Sequence, residues 1–331
     1  MEGVELIRQS RGELIECSYM GRICITGEDG VIKALGDPSG YAYYRSASKP
    51  IQSLPVIMRR LNEKYGLTKK ETAILSGSHW AQQQHIEALT SIMEKTGLRE
   101  EDMIMLPTYP RDPVMMEKVI REGTGKRKIY HNCSGKHLGI MMLQRELGGD
   151  VRDYWKRDSI AQHEILAAIS ALTGTEKDRI MIGVDGCGVP VYAVPLKGIA
   201  DSYLRLACPD LIKDDELRDA VIRNREAIHS APYMLDATER ASAIIDSDPG
   251  FIGKDGALGL YVIGITEKRM GIAVKINDGN GSKAVYVILN ILKQLGYTGD
   301  IIKRLEKLVP DEIVNDNDFV VGKQEPVFSI L

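Results

Sequence analysis

The hydrophobic period of this chain changes twice, and that alternation limits the folds open to it more than any other feature. Before about residue 45 the period is that of strands, with Leu14 to Tyr19, Ile23 to Thr26, Val31 to Leu35 and Tyr41 to Tyr44 as candidates. Turns at Gly27-Glu28-Asp29-Gly30 and Asp37-Pro38-Ser39-Gly40 separate them. Helical spacing then takes over to about residue 245. Ile86, Leu89, Ile92 and Met93 share one face before Gly97, and residues 139–147, 159–172 and 214–228 behave alike. After Pro249-Gly250 strands return at Leu260 to Ile265 and Met270 to Ile276. A last amphipathic helix follows, carrying Ala284, Val287, Ile288, Ile291, Leu292 and Leu295. A sheet pattern that stops and later resumes predicts an α/β chain of the α+β kind, one 1–331 unit with two lobes. Residues 1–50 and 246–331 share an antiparallel sheet flanked by helices, and residues 51–245 form an all-helical lobe.

Apolar residues make up 44% and charged residues 27%, the balance of an ordinary globular protein. A net charge of −3 gives no basic surface for a phosphate backbone, so no nucleic-acid partner is expected. The short run Lys126-Arg127-Lys128 reads as a solvated loop. The opening Met-Glu-Gly-Val-Glu-Leu-Ile-Arg lacks a basic region followed by an apolar stretch, which predicts neither a secretion signal nor a membrane anchor and a cytoplasmic location. Five scattered cysteines, Cys17, Cys24, Cys133, Cys187 and Cys208, suit reduced thiols better than a disulfide framework.

Four motifs bear chemistry. Ser46-Ala47-Ser48-Lys49 places a hydroxyl and an amine three residues apart where a strand passes into a helix, so Lys49 can reach Ser46 as a base. That role requires the amine to lose its proton near neutrality against an ordinary pKa of about 10.4. Alone, Ser-x-x-Lys arises by chance on the order of once in such a chain, as a helix start with an exposed lysine. Lys254-Asp255-Gly256 opens the C-terminal strands, in the chain order of penicillin-recognising serine enzymes, though it is also an ordinary turn. Ser76-Gly77-Ser78-His79 sets a second serine among small residues before a helix bearing His85. Its ordinary alternative is a helix cap followed by two surface histidines. Last, His131-Asn132-Cys133-Ser134-Gly135-Lys136-His137 and Gly183-Val184-Asp185-Gly186-Cys187-Gly188 each set one cysteine among potential metal or acid-base groups. Two such cysteines suit half of a zinc site, or two small buried hydrophobes.

Together and in this order the motifs resemble the Rhizobium-type (thermolabile, class 3) L-asparaginase family, related in fold to serine β-lactamases and bacterial-type glutaminases. The likeness covers nearly the whole chain, and the Asn-Cys-Ser-Gly-Lys-His and Asp-Gly-Cys-Gly-x-Pro strings are its most specific parts. The resemblance implies two serine–lysine pairs, Ser46 with Lys49 and Ser78 with Lys254. It also implies a zinc ion on Cys133, Lys136 and Cys187, with His137 and Asp185 as neighbours, and a homodimer. Substrate contacts are expected from His79, Asp185, Arg240, Asp255 and Gly256. A lysine ligand must be deprotonated, so metal affinity should rise with pH.

The chain departs from the family at three places. Ser-His-Ser-Gly-Glu reads Ser78-His79-Trp80-Ala81-Gln82, Lys-x-Gly-Ala-Glu-Gly reads Lys254-Asp255-Gly256-Ala257-Leu258-Gly259, and a Gly-Thr-Gly-Arg-like stretch reads Ala237-Thr238-Glu239-Arg240. Gln82 and Leu258 replace carboxylates, the natural partners of a substrate ammonium, which bears on the substrate. The expected reaction is hydrolysis of a side-chain amide, L-asparagine to L-aspartate and ammonia, through an acyl-enzyme. Ser46 is the expected nucleophile and Ser78 with Lys254 the second tandem. The alternatives are another small amide (glutamine, a D-amino acid amide or a β-lactam-like compound) or a non-catalytic member that binds a metabolite or zinc.

Overall fold

The computed structural model describes residues 3–330. The chain divides into two compact units. One comprises the chain up to Ala47, Val194–Ala207 and the chain from Gly250, and the other comprises Ser48–Ala193 and Cys208–Pro249.

The first unit is built on an eight-stranded antiparallel sheet. Its strands lie in the order Glu312–Val314, Val320–Pro326, Val4–Arg11, Leu14–Gly27, Met270–Ile276, Leu260–Ile265 and Phe251–Gly256, with Gly30–Leu35 also paired to Leu14–Gly27. The two ends of the chain join at two places, in the pairing of Ile7 with Pro326 and in that of Ile23 with Val274 and Thr26 with Gly271. The strands at 260–265 and 270–276 fall where the sequence places them, and Leu260–Ile265 is buried along its whole length. Helices Leu196–Ala207 and Gly281–Gln294 both pack on it, which explains an unbroken apolar run where a one-sided strand would alternate.

Helix Leu196–Ala207 belongs to this sheet unit, although the sequence reading put it in the helical lobe. Two glycines admit it. A Cβ on Gly271 would stand 2.0 Å from the Ala200 carbonyl oxygen, and one on Gly264 would stand 2.1 Å from that of Tyr203. Helix and sheet backbones are therefore in direct contact. Gly271→Val is expected to lower stability on the order of 3 kcal/mol, because the clash is with backbone that no rotamer relieves. Gly281→Ala, whose Cβ would meet nothing within 4 Å, should leave it within about 0.5 kcal/mol. Urea denaturation of both variants checks this, and equal midpoints would contradict the close-packing account.

The second unit is mainly helical. Lys69–Ile74 begins with a capping box in which Thr68 and Glu71 satisfy each other's backbone N–H groups. Gln83–Thr96 stops at Gly97, whose φ of 66° is the left-handed conformation a glycine adopts without strain. Ser134–Glu146, Ile160–Thr173 and Asp215–Ser230 complete the main helices, and a hairpin of Met181–Val184 with Pro190–Pro195 presents the turn that holds Cys187. Among the described residues no helix is long and apolar enough to cross a membrane. The five cysteines form no disulfide.

Candidate active site

Lys49 opens a short helix, Lys49–Gln52, and is fully buried. Its Nζ lies 2.9 Å from Ser78 Oγ, 2.8 Å from the Gly77 carbonyl oxygen and 3.4 Å from that of Asn132. The sequence pairs Lys49 with Ser46; the structure brings Ser78 within hydrogen-bond distance of it as well. In all three contacts Lys49 Nζ donates, to the Ser78 hydroxyl oxygen and to the two carbonyl oxygens.

The loop carrying Ser78 is fixed on both sides. Its N–H donates to the Leu235 carbonyl at 2.8 Å, and a Cβ on Gly77 would lie 2.4 Å from the Met234 carbonyl oxygen, so only glycine fits before the serine. Beneath it, Ser53 Oγ and Ser76 Oγ meet at 2.8 Å. Asn224 receives a hydrogen bond from Ser76 and donates to the Pro50 carbonyl at 2.9 Å. This buried network ties the helix of Lys49 to the loop of Ser78, and every member has a partner, the condition for such a network to stabilise.

His79 and His85 are fully buried, which removes the surface-histidine alternative. The Ala81 N–H donates to His79 Nδ1 at 3.1 Å, so the ring carries its proton on Nε2 and donates it to Ser134 Oγ at 2.7 Å. His85 follows the same pattern, with Nδ1 accepting from the Gln82 N–H at 3.0 Å and Nε2 donating to the Tyr233 carbonyl at 2.8 Å. Burial drives His79 well below the ordinary histidine range, and the neighbouring His85 and Lys49 side chains push it the same way. Burial likewise takes His85 down to about 4. Expected to touch substrate, His79 instead has both ring nitrogens committed inside the protein and positions the turn after Ser78.

The cysteine motifs converge within this unit. Cys133 caps the helix Ser134–Glu146, and Lys136 one turn on reaches Cys187 Sγ with its Nζ at 3.2 Å. A hydrogen bond from Cys187 holds the Cys133 thiol well below the usual thiol range, with Lys49 and Lys136 adding positive charge. That same bond, with burial, raises Cys187. Burial alone would lower Lys136, but the Cys187 and Cys133 sulfurs beside it raise it. Cys187 sits in a turn closed by Gly188 N–H to the Asp185 carbonyl at 2.9 Å, and Asp185 Oδ1 accepts from the Gly186 N–H at 2.8 Å. His137 Nδ1 lies 2.6 Å from the Tyr154 hydroxyl, and the same hydroxyl accepts from the Ile104 N–H at 2.9 Å. His137 Nε2 is buried with no hydrogen-bond partner.

Arg240 is exposed and lies over the Trp80 ring at 4.7 Å. Gln82, at the place of a family carboxylate, donates to Asp112 Oδ2 at 3.1 Å and accepts from Thr238 at 3.3 Å. An acid is therefore present one contact away, on a residue the motif comparison does not mark.

In the sheet unit, Lys254 is fully buried on the strand Phe251–Gly256 and bonds the Asp255 carboxylate. Gly256, two residues along on the same face, lies so close to residue 44 that a Cβ there would stand 2.7 Å from the Tyr44 carbonyl oxygen. Half-buried Ser46 lies in the 3-10 turn Arg45–Ser48. That segment is anchored by Tyr44 Oη to Ser202 Oγ at 2.7 Å and by Tyr203 Oη to the Ala47 carbonyl at 2.8 Å. Arg45, Ala81 and Leu258 all have φ between 50° and 61°, so left-handed non-glycine backbone occurs close to each of Ser46, Ser78 and Lys254.

Among solved structures the chain is similar to a β-lactamase from Mycobacterium bovis, at 11% identity over 83% of this chain and 94% of that one, with a TM-score of 0.40. A Bacillus glutaminase shares 14% identity over 83% and 91%, with a TM-score of 0.38. A Bacillus subtilis glutaminase in covalent complex with 5-oxo-L-norleucine shares 14% over 83% and 86%, with a TM-score of 0.40. No curated protein matches the chain in sequence. The model of the L-asparaginase II family matches residues 7–326, nearly the whole chain. By that match the chain belongs to the L-asparaginase II family and is an amidohydrolase.

Proposed function

We propose that the protein hydrolyses the side-chain carboxamide of L-asparagine or a close derivative by a serine–lysine mechanism, with Ser78 as nucleophile and Lys49 as its base. The observation that carries this reading is the 2.9 Å contact between two buried groups, Lys49 Nζ and Ser78 Oγ. In the first half-reaction the Ser78 proton passes to Lys49 while Oγ bonds to the amide carbon. Lys49 returns the proton to the departing nitrogen, the C–N bond breaks and ammonia leaves. Water then attacks the acyl ester and gives a proton to Lys49, the bond from the acyl carbon to Ser78 Oγ breaks, Lys49 returns the proton to Oγ, and the carboxylic acid leaves.

Ser46, the nucleophile expected from sequence, is the rival within the same experiment. Ammonia release from L-asparagine and L-glutamine is measured for the wild type, Ser46→Ala and Ser78→Ala. Loss confined to Ser78→Ala supports the assignment, and loss confined to Ser46→Ala transfers the attack to Ser46. A folded wild type inert toward a panel of small amides overturns hydrolysis in favour of a binding role.

Cys133, Lys136 and Cys187 fit a zinc ion, since two sulfurs and an amine already lie together and soft sulfur donors favour this metal. When bound, zinc would supply a fixed positive charge that orients the substrate; the serine and lysine already provide nucleophile and base. The expected result is about one zinc per chain by elemental analysis, lost in Cys187→Ser. Chelation lowers the melting temperature while ammonia release persists. Complete loss of turnover on chelation, restored only by metal, contradicts that division of labour.

A further inference from the structure

Two of the five thiols face each other inside the helical unit. Cys133 stands at the start of helix Ser134–Glu146 and Cys187 in the turn between Met181–Val184 and Pro190–Pro195, and the Cys187 thiol donates to the Cys133 sulfur. Lys136 Nζ donates to Cys187 Sγ at 3.2 Å. Among the described residues no three His, Cys, Asp or Glu side chains gather into a metal-holding group, so the two sulfurs stand without a third ligand of the usual kinds. Opposed thiols have a second chemistry besides metal binding, the exchange of two electrons.

The turn suits closure of the pair. Cys187 lies between exposed Gly186, where a Cβ would meet nothing within 4 Å, and Gly188 at a φ of 92°. Glycine on both sides lets the turn adjust at little cost, which matters because a disulfide requires the sulfurs at about 2.05 Å. Access favours the same two residues. Cys133 and Cys187 keep 5% and 3% exposure against 0% and 1% for Cys24 and Cys208, so a small oxidant has an approach that the deeper pair denies it.

We propose that Cys133 and Cys187 form a redox site that closes to a reversible disulfide when metal is absent, with a peroxide as the oxidant. The Cys133 thiol takes one oxygen of hydrogen peroxide, the O–O bond breaks, and a sulfenic acid and one water form. The Cys187 sulfur, held by Lys136, then attacks the Cys133 sulfur. The S–O bond breaks, and the oxygen leaves as a second water with the Cys187 proton. Each cysteine gives up one electron and the peroxide takes two. Zinc is bound by thiolates, so the disulfide and the metal exclude each other.

The test uses the full chain after chelation of metal. The protein is exposed to hydrogen peroxide, quenched with iodoacetamide and digested without reductant, and its peptides are weighed by mass spectrometry. The expected product is one cross-linked pair joining Cys133 to Cys187, lighter than the free peptides by two hydrogens and separated by dithiothreitol. In Cys187→Ser, shown folded by circular dichroism, oxidation should stop at a Cys133 sulfenic acid that dimedone captures. Zinc at about a hundred times its measured Kd should slow closure about a hundredfold, because only the metal-free fraction reacts. Both thiols still open to iodoacetamide after a parallel sample of free cysteine has been consumed would overturn the redox site. Sulfinic acids on the two cysteines without a cross-link would overturn it too, as would a link from Lys136 to Cys187 through one added oxygen. Cross-linking at an unchanged rate in the zinc-loaded protein upholds the disulfide and places the metal elsewhere. None of these readouts depends on ammonia release.

Discussion

In Lys49→Met, ammonia release is expected to fall by a factor of about 10² to 10⁴, the range over which a general base accelerates such steps. Methionine keeps the length and most of the bulk of the lysine and removes its nitrogen. What disappears is the base proposed for Ser78 and the donor to Ser78 Oγ and to the carbonyls of Gly77 and Asn132. Leaving those oxygens and the hydroxyl unpaired costs stability, about 1–3 kcal/mol for each buried group, while relief from burying the amine offsets part of it. Circular dichroism and the melting temperature establish that the variant is folded. Groups that act as one unit are not additive, so Lys49→Met with Ser78→Ala should be no slower than Ser78→Ala alone. A folded Lys49→Met protein that keeps a tenth of wild-type kcat would remove Lys49 from the chemistry. Independent, multiplying losses in the double variant would separate it from Ser78.

Mild acid is expected to unfold the protein steeply between about pH 6.5 and pH 4. His79, His85 and His137 are all held neutral by burial. In His79 and His85 Nδ1 accepts a hydrogen bond, from the Ala81 N–H and the Gln82 N–H respectively. There a second proton can enter only at Nδ1 and would break that bond, and in all three residues it would charge a buried ring. Once unfolded, the same histidines take up protons near pH 6.5. The folded pKa is depressed, so below pH 6.5 the unfolded state binds more protons and stability falls with pH. The slope is about 1.4 kcal/mol per pH unit for each histidine, down to the folded-state value, which for His85 is about 4. Denaturant midpoints read across this range should show a slope near three protons, reduced by about one in His85→Gln. A flat profile from pH 7 to pH 5 would mean that the rings are already charged in the folded protein.

Sequence periodicity located the helix that ends at Gly97 and the two strands after Pro249-Gly250, because glycine stops and unbroken apolar runs are local signals. It gave two strands, Leu14 to Tyr19 and Ile23 to Thr26, where the structure has the single strand Leu14–Gly27. A Cβ on Gly21 would lie 2.7 Å from the Lys275 carbonyl oxygen, so the residue marks a close approach within a continuous strand. Helix Leu196–Ala207 was misplaced for a similar reason, since its tie to the sheet lies in Gly264 and Gly271, more than 50 residues downstream. At the site, Ser78, Lys49, Cys133, Lys136 and Cys187 carry recognisable motifs. The carbonyls that hold Lys49 do not, because every residue has one. Partner choice was illegible too: Lys49 reaches a serine 29 positions away, and only the folded loop determines that.

The composition of the sheet unit bears on how the protein is made. Thr26 bonds to the carbonyl of Gly271, 245 positions later in the chain. At a translation speed of roughly 5–20 residues per second, the strand Leu14–Gly27 leaves the ribosome about 12–50 s before the strand that pairs along its far edge exists. Both segments of the helical unit, Ser48–Ala193 and Cys208–Pro249, are synthesised during that wait. The nascent sheet meanwhile keeps an open hydrogen-bonding edge with the side chains of Ile23 and Ile25 uncovered, a template for other chains. Yield in the cell is therefore governed by how well that early strand is shielded, and slowing the ribosome before residue 270 should enlarge the insoluble fraction.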